Sequence, residues 1–213
     1  QSIVRVCNAF DRHFASSGWE YCQGMNVYAG VFLYVMPELD AFNAFSVFCT
    51  QYIPLYWRSN HIGVETGCNL LDRVLAVVDP QLHRHLHSRD PPLKAQLYAF
   101  HCVKTMSASA PPLEEVLLLW DFLLAVGPHM SILCVAAQLF SMRDKLLRSG
   151  FPKDVLDYRK WPPLRARFLV GVAMTFLQQL PPDLFSALAL HSTSSSLVEA
   201  LTGRKNYRKH TVS

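Results

Sequence analysis

A short polar segment near the start of the chain combines residue types that could do chemistry. It reads Tyr21-Cys22-Gln23-Gly24-Met25-Asn26. It follows a Ser/Gly turn at 16–19 and precedes an uncharged apolar stretch that predicts a helix. A side-chain amide in this place would lie at a helix N-terminus, where anions and water are well oriented. From the residues alone, Gln23 and Asn26 either take part in chemistry or merely cap the helix while Gly24 relieves crowding, and composition favours capping.

Other candidate sites are weaker. His83 and His87 would share one helical face, which suits two metal ligands, but no third ligand stands nearby, so we predict a solvated histidine face and no metal site. The sequence contains neither a phosphate-binding glycine loop nor a G-x-S-x-G nucleophile motif. The six cysteines include no C-x-x-C pair, which favours reduced core thiols in an intracellular protein over disulfides or zinc.

Composition excludes several classes of protein. Of 213 residues, 51% are apolar and 17% charged, so the chain is not intrinsically disordered and has enough length for a sizeable core. The net charge of +4 comes from four basic residues after Gly203, and the remaining 16 basic residues balance 16 acidic ones. The four are Arg204, Lys205, Arg208 and Lys209. A neutral body predicts no nucleic-acid partner.

One apolar stretch is nominally long enough to cross a membrane. Residues 122–142 carry no formal charge, but Gly127-Pro128-His129 interrupts them. Glycine ends helices and proline begins them, so we predict two buried helices and no membrane span. The chain also opens without a signal-peptide pattern, and we expect a cytoplasmic protein.

The remaining pattern is helical throughout. Ile3, Val6, Phe10 and Phe14 mark an amphipathic first helix, and 21–36 predict a central one. Further helix starts are predicted at Pro37, Asp79-Pro80, Pro91-Pro92 and Pro111-Pro112, with later helices to 150 and over 165–179 and 183–190. No two-residue alternation between hairpin turns is present, so the predicted fold class is all-α.

Two motifs resemble those of a known family. The segment from Tyr21 resembles the Y-x-Q-G-M motif of TBC domains, the helical GTPase-activating proteins of Rab-type GTPases. Leu119-Trp120-Asp121-Phe122-Leu123 resembles the family's second landmark, at about the expected distance. The resemblance covers about residues 1–190 and implies a single multi-helix TBC domain that lacks its N-terminal part. Residues 191–213 are expected to form a flexible, Ser/Thr-rich and basic segment.

Within that family, three segments look similar to the mitotic-exit and septation checkpoint branch. They are Met36-Pro37-Glu38-Leu39-Asp40-Ala41-Phe42, Leu71-Asp72-Arg73 and Leu118-Leu119-Trp120-Asp121-Phe122-Leu123-Leu124-Ala125. This finer resemblance implies a regulatory protein partner and a place at a microtubule-organising centre, or on endomembranes through the partner.

The resemblance implies a mechanism with two catalytic side chains, or fingers. Gln23 would orient the attacking water, Tyr21 would pack this glutamine, and Gly24 would let the backbone approach the nucleotide. Tyr21, Gly24, Met25 and Asn26 would bind a Rab-like GTPase. The domain would need no cofactor of its own and would act on the GTP and Mg²⁺ of its partner. Trp120 and Asp121 would be structural, with Asp121 tying helices together.

The family's arginine finger lies in an I-x-x-D-x-x-R motif, which these 213 residues do not contain. Its expected position falls before Gln1, and Arg5 and Arg12 lack the motif's Ile and Asp. Two functions therefore stay open. One is a GTPase activator whose arginine lies upstream of Gln1. The other is a catalytically inactive GTPase-binding or scaffold domain of the same fold. A generic helical adaptor is a third interpretation.

Overall fold

The computed structural model describes residues 1–57, 61–150 and 155–203, and every regular element in these ranges is helical. The N-terminal half contains α1 (Ser2–Phe14), α2 (Met25–Val35), α3 (Glu38–Val47), α4 (Pro54–Trp57), α5 (Ile62–Val78), α6 (Pro80–His87) and α7 (Phe100–Thr105). The C-terminal half contains α8 (Leu113–Val126), α9 (Met130–Ser141), α10 (Arg143–Arg148), α11 (Ala166–Leu177), α12 (Pro182–Leu190) and α13 (Ser195–Thr202). The predicted all-α class is confirmed.

Local sequence signals set several helix ends as predicted. Gly18 takes a left-handed conformation after α1 and a short 3-10 turn, where only glycine has no steric penalty. The Asp79 side chain accepts a hydrogen bond from the Leu82 N–H (3.0 Å) and so caps α6. Its other oxygen accepts from Arg143 Nε at 2.7 Å, which ties α6 to the start of α10. A capping residue thus also fixes tertiary structure.

The core is centred on a group of aromatic rings. Trp120 of α8 lies edge-on to Tyr28 of α2, with ring centroids 4.9 Å apart, and Phe48 completes the group at 5.5 Å from Trp120. Trp120 and Tyr28 are fully buried. The Trp120 indole N–H donates to the Met106 carbonyl at 3.3 Å, so burial leaves this polar group satisfied. Helix α8 is thereby joined to both α2 and the end of α7.

The uncharged stretch 122–142 forms the end of α8 and the whole of α9. Gly127, at φ +136°, separates the two helices as predicted. Residues 130–139 of α9 are all buried, and they pack against α5 and α11. Among the described residues, no helix has both the length and the apolar character needed to cross a membrane. The lack of charge therefore reflects burial on all sides of α9.

Two predicted helices are interrupted in the structure. The helix expected from Pro91-Pro92 is instead a 3-10 turn at Ala95–Leu97 followed by α7. The Asp72 carboxylate accepts from the Ala95 N–H at 3.1 Å, and this contact from α5 fixes the separate turn. The helix expected to run to 150 breaks at Met142, where Arg143 turns towards Asp79. Both breaks depend on partners distant in sequence.

The segment after residue 190, which we expected to be flexible, contains α13. The Ser194 side chain caps this helix by accepting from the Leu197 N–H (3.3 Å), and Val198 is fully buried in a cluster with Leu55 and Ile62. The apolar positions of α13 thus supply a contact that the Ser/Thr-rich composition does not reveal. The basic positions 204–209 lie outside the described residues.

The cysteines are all free thiols. Five are buried, and Cys22 is half-buried. Burial raises the pKa of Cys102 and Cys134 to about 12, so these thiols stay protonated at neutral pH. Their placement agrees with the prediction that they act as core residues.

Candidate functional site

The polar segment predicted from the sequence forms a turn that leads into α2. We call residues 21–24 the glutamine turn. The Tyr21 N–H donates to the Asp11 carboxylate of α1 at 2.8 Å. Gly24 lies at the N-terminus of α2 with φ +108°, a region that favours glycine. The turn is therefore fixed to α1 at one end and to α2 at the other.

Asn26 closes the glutamine turn from the first turn of α2. Its Oδ1 accepts hydrogen bonds from the Tyr21 hydroxyl and from the Gly24 N–H, both at 3.2 Å. Asn26 therefore caps the turn, as one of the two interpretations predicted, whereas Gln23 does not, and a part for Gln23 in chemistry stays a prediction. The Gln23 side chain is exposed and makes no hydrogen bond with the described residues. The structure thus presents one unengaged carboxamide on a restrained backbone.

Met25 has a different place from the one we predicted. It is fully buried, and its Sδ accepts from the Cys22 N–H at 3.4 Å. A fully buried side chain at this position contacts the core and supports the glutamine turn. It is therefore not accessible for the direct contact with a GTPase that we expected. Tyr21 is 40% exposed and Asn26 is exposed, so both are accessible beside Gln23.

Three residues that the sequence analysis missed lie under the glutamine turn. A Cβ built on Gly24 would lie 3.3 Å from Lys104 Cε and 3.7 Å from the Trp57 ring. The Cys22 thiol lies 3.6 Å from the Trp57 carbonyl, to which it donates. Lys104 Nζ lies 3.1 Å from His61 Nε2 and 5.9 Å from the centroid of the Trp57 ring. We call Trp57, His61 and Lys104 the platform. No local pattern in the sequence links these positions to residue 23.

Burial and a nearby charge shift the pKa values of two groups at the glutamine turn, the Lys104 amine and the Cys22 thiol. Burial lowers the pKa of Lys104. Burial raises the pKa of the Cys22 thiol, and the nearby Lys104 ammonium partly offsets this rise. The rise in the pKa of Cys22 favours the neutral thiol at this position. Lys104 supplies positive charge at the base of the glutamine turn.

The second predicted motif supports this site through α7. Trp120 binds the carbonyl of Met106, directly after α7, and Lys104 lies in the last turn of α7. The Tyr28 hydroxyl of α2 donates to the Lys104 carbonyl at 2.7 Å. The two motifs found in the sequence are therefore connected by buried contacts, with Lys104 between them.

Asp121 does not have the tying role we predicted. Its side chain is exposed and has no hydrogen bond or ion pair in the part of the chain that the structure describes. Position 121 lies on the opposite face of α8 from the buried Leu119, Trp120 and Leu123. Glu115 ties the helices instead, because its carboxylate accepts from the Ala166 N–H at 2.5 Å at the start of α11.

The histidine cluster shows no arrangement for a metal. The His83 and His87 rings stack with centroids 4.1 Å apart, and His87 Nδ1 donates to the His83 carbonyl at 3.1 Å. Within residues 1–57, 61–150 and 155–203, no group of three His, Cys, Asp or Glu side chains could hold a metal ion. The stacked rings instead cover part of the α6 surface.

The fold and the sequence together define a class of protein. Residues 1–147 match the profile of the Rab-GTPase-TBC domain, and the chain belongs to this family. The Ypt/Rab-GAP domain of Gyp1p has a similar fold, with a TM-score of 0.68 over 89% of this chain and 66% of that one. At 17% identity, this likeness shows the fold alone.

Within the family, the chain is similar to proteins of cell division. It is 39% identical over 205 residues to cell division control protein 16 of Schizosaccharomyces pombe, covering 94% of this chain and 66% of that protein. It is 35% identical over 178 residues to the mitotic check point protein BUB2 of Saccharomyces cerevisiae, covering 83% of this chain and 57% of that protein. The chain thus spans little more than half to two thirds of the length of these relatives.

Proposed function

We propose that this chain is a GTPase-activating domain for a Rab-like small GTPase, with Gln23 as its catalytic glutamine. The observation that carries the proposal is the exposed, unengaged carboxamide of Gln23 on a turn fixed from both sides. A side chain that must act inside a partner's nucleotide site has to be accessible and its backbone restrained, because misplacement by about 1 Å costs up to about 100-fold in rate. Membership in the Rab-GTPase-TBC family supports this reading of the turn.

The chemistry needs two functions at the γ-phosphate. One is to orient the attacking water, and a carboxamide suits this because its oxygen accepts from the water while its N–H groups donate to phosphate oxygens. The other is to stabilise the charge that develops on the transferring phosphoryl group. Gln23 performs the first, and the GTP and Mg²⁺ belong to the partner GTPase.

The second function requires a cation. Arg5 is engaged by Glu38, with its Nε 2.7 Å from Oε1, and Arg5 and Arg12 lie outside any I-x-x-D-x-x-R pattern. We propose that the arginine is contributed from outside these 213 residues. An arginine finger is worth about 10³–10⁵ in rate in GTPases. The chain as given would then bind its GTPase and activate it weakly.

The alternative is a GTPase-binding or scaffold domain without activity. The absence of an I-x-x-D-x-x-R motif from these 213 residues leaves it open, and the presentation of Gln23 favours the activator. The names of the relatives refer to cell division and to a mitotic check point, and we propose that the partner GTPase of either form acts in cell division.

The test is a hydrolysis screen over a panel of Rab-like GTPases. The protein expressed from its full coding sequence is compared with its Gln23→Ala variant and with Gln178→Ala, an exposed glutamine at the end of α11. The activator predicts stimulation of one or a few GTPases that Gln23→Ala removes and Gln178→Ala retains. Nucleotide-dependent binding without stimulation would establish the scaffold alternative, and no binding at all would support a generic adaptor.

A further inference from the structure

The platform lies beside both residues that flank Gln23. Cys22 donates its thiol hydrogen to the Trp57 carbonyl, and the Trp57 ring and the Lys104 stem face Gly24 where a Cβ would stand. A displacement of Lys104 or Trp57 would therefore move the backbone on either side of the glutamine. The 3.3 Å separation between the Lys104 Cε and a Cβ at Gly24 leaves almost no space in this contact.

The Lys104 ammonium is held by an oriented imidazole. His61 Nδ1 lies 2.7 Å from the Tyr56 carbonyl, which can only accept, so the proton resides on Nδ1. His61 Nε2 is then left with its lone pair and accepts from Lys104 Nζ at 3.1 Å. His61 itself occupies the left-handed region, at φ 62°, which aims its ring towards the site. The head of Lys104 therefore has a defined partner.

The main chain of Lys104 is held independently. Its carbonyl accepts from the buried Tyr28 hydroxyl, and α7 ends one residue later, before Met106 and Ser107, which both have positive φ. The Trp120 indole binds the Met106 carbonyl. The stem of Lys104 consequently projects from a fixed point, and the ammonium–imidazole contact fixes the other end.

We infer that Lys104, held by His61, is a positioning residue that sets the orientation of Gln23 for GTP hydrolysis. This inference rests on the proposed function of Gln23. An apolar side chain would fill the same space under Gly24 without taking a charge partly out of water, which carries a cost. The Lys104 ammonium makes a directional hydrogen bond to His61, which an apolar side chain could not make. This bond fixes the far end of the stem.

Kinetics with the activated GTPase give the first test. The change is Lys104→Met, which keeps a stem of similar length without the charge, with Lys145→Met on α10 as the matched control. We expect the maximal stimulated rate, kcat, to fall by up to about 100-fold, while the half-saturating concentration, KM, stays within about twofold. Lys104→Arg restores a donor to His61 and should recover most of the rate.

A second variant removes the other partner. His61→Asn tolerates the left-handed backbone but does not reach Lys104. It should lower kcat like Lys104→Met, and the double variant should be no worse than either single one, because both remove the same contact.

A measurement without any GTPase separates this inference from the proposed function. Backbone amide order parameters of residues 22–24 are compared in the free protein and its Lys104→Met variant, with the thermal transition recorded to confirm folding. We expect values near about 0.85 to fall towards about 0.6 in the variant only. Order parameters equal to those of Lys145→Met would overturn the inference even if no GTPase were activated. An unchanged kcat in Lys104→Met of an active protein would overturn it as well.

Discussion

The Tyr21 hydroxyl and the Asn26 carboxamide oxygen lie 3.2 Å apart and join the two ends of the turn that carries Gln23. The same oxygen also accepts from the Gly24 N–H, so one acceptor restrains both sides of the glutamine. Lys104 and Trp57 lie beside Gly24 of this turn, while Gln23 itself has no hydrogen-bond partner among the described residues. The backbone is restrained and the functional group is exposed, as expected of a side chain that acts on another protein.

The shared acceptor predicts different outcomes for two substitutions at Asn26. Asn26→Ala removes Oδ1, and we expect the stimulated hydrolysis rate to fall by about tenfold through loss of orientation. Asn26→Asp keeps an acceptor and should retain most of the rate. Single-turnover hydrolysis with the activated GTPase measures both. Equal rates in Asn26→Ala and the unmodified protein would show that the two hydrogen bonds to Asn26 Oδ1 do not orient Gln23.

Gly24 is required by both its backbone and its surroundings. Gly24→Ala places a Cβ in an unfavourable φ region and 3.3 Å from Lys104 Cε, so we expect a loss of about 1–3 kcal/mol in the free energy of unfolding. Gly171→Ala is the matched control, because Gly171 lies in α11 with open space around it, and it should gain up to about 1 kcal/mol. Urea unfolding gives both values. A neutral Gly24→Ala would contradict the tight contact with Lys104.

The hydrogen bond between Glu115 of α8 and the Ala166 N–H at the start of α11 predicts that Glu115 and Asp121 differ in their contribution to the free energy of unfolding. Glu115→Ala leaves the Ala166 N–H without its acceptor, and we expect a loss of about 1–2 kcal/mol in the free energy of unfolding. Asp121→Ala should change it by less than about 0.5 kcal/mol, because this carboxylate is exposed and has no described partner. Chemical denaturation distinguishes them. The reverse order would restore the tying role that the sequence assigned to Asp121.

Buried His191 makes stability depend on pH. Its Nδ1 donates to the Leu188 carbonyl and its Nε2 accepts from the Tyr56 hydroxyl, so the ring is neutral. Burial lowers its pKa to about 4 from 6.5, so between these values the unfolded chain binds more protons. Stability is complete above pH 6.5 and should fall, by up to about 3 kcal/mol, as the pH drops to 4.

The control for His191 is the double variant His191→Leu/Tyr56→Phe, which also removes the hydroxyl that would otherwise lose its acceptor; the Leu188 carbonyl loses its donor, and this cost is the same at every pH. Its free energy of unfolding should depend less on pH between 4 and 6.5 than that of the unmodified protein. Burial also lowers the pKa of His129, and the charge of His129 in turn lowers the pKa of His191, so the difference between the two proteins reports His191 together with this interaction. Parallel curves for the two proteins would show that His191 is not the responsible group.

The sequence predicted features that depend on neighbours along the chain. The Asp79 cap, the break at Gly127 and the exposed Gln23 before α2 all follow from local residue types and are found in the structure. Buried Met25 and the missing tie at Asp121 show where motif matching fails, because membership in a motif does not say which face of a helix a residue occupies.

The platform illustrates what local patterns omit. Lys104 and His61 come from α7 and from the residue before α5, and only tertiary folding places them under Gly24. A lone lysine in the last turn of an apolar helix reads as a favourable charge at a helix end. Its place beside the glutamine turn depends on how α2, α5 and α7 pack against one another. Residue spacing in the sequence does not show this packing.

The most direct test of the central claim is the single-turnover rate of GTP hydrolysis by the cognate GTPase at saturating protein, for Gln23→Ala against Gln178→Ala. We expect Gln23→Ala to lose at least about 100-fold of the stimulation and still to bind the GTP-bound GTPase, and we expect Gln178→Ala to behave as the unmodified protein. Full stimulation by Gln23→Ala would contradict the assignment of Gln23 as the catalytic glutamine.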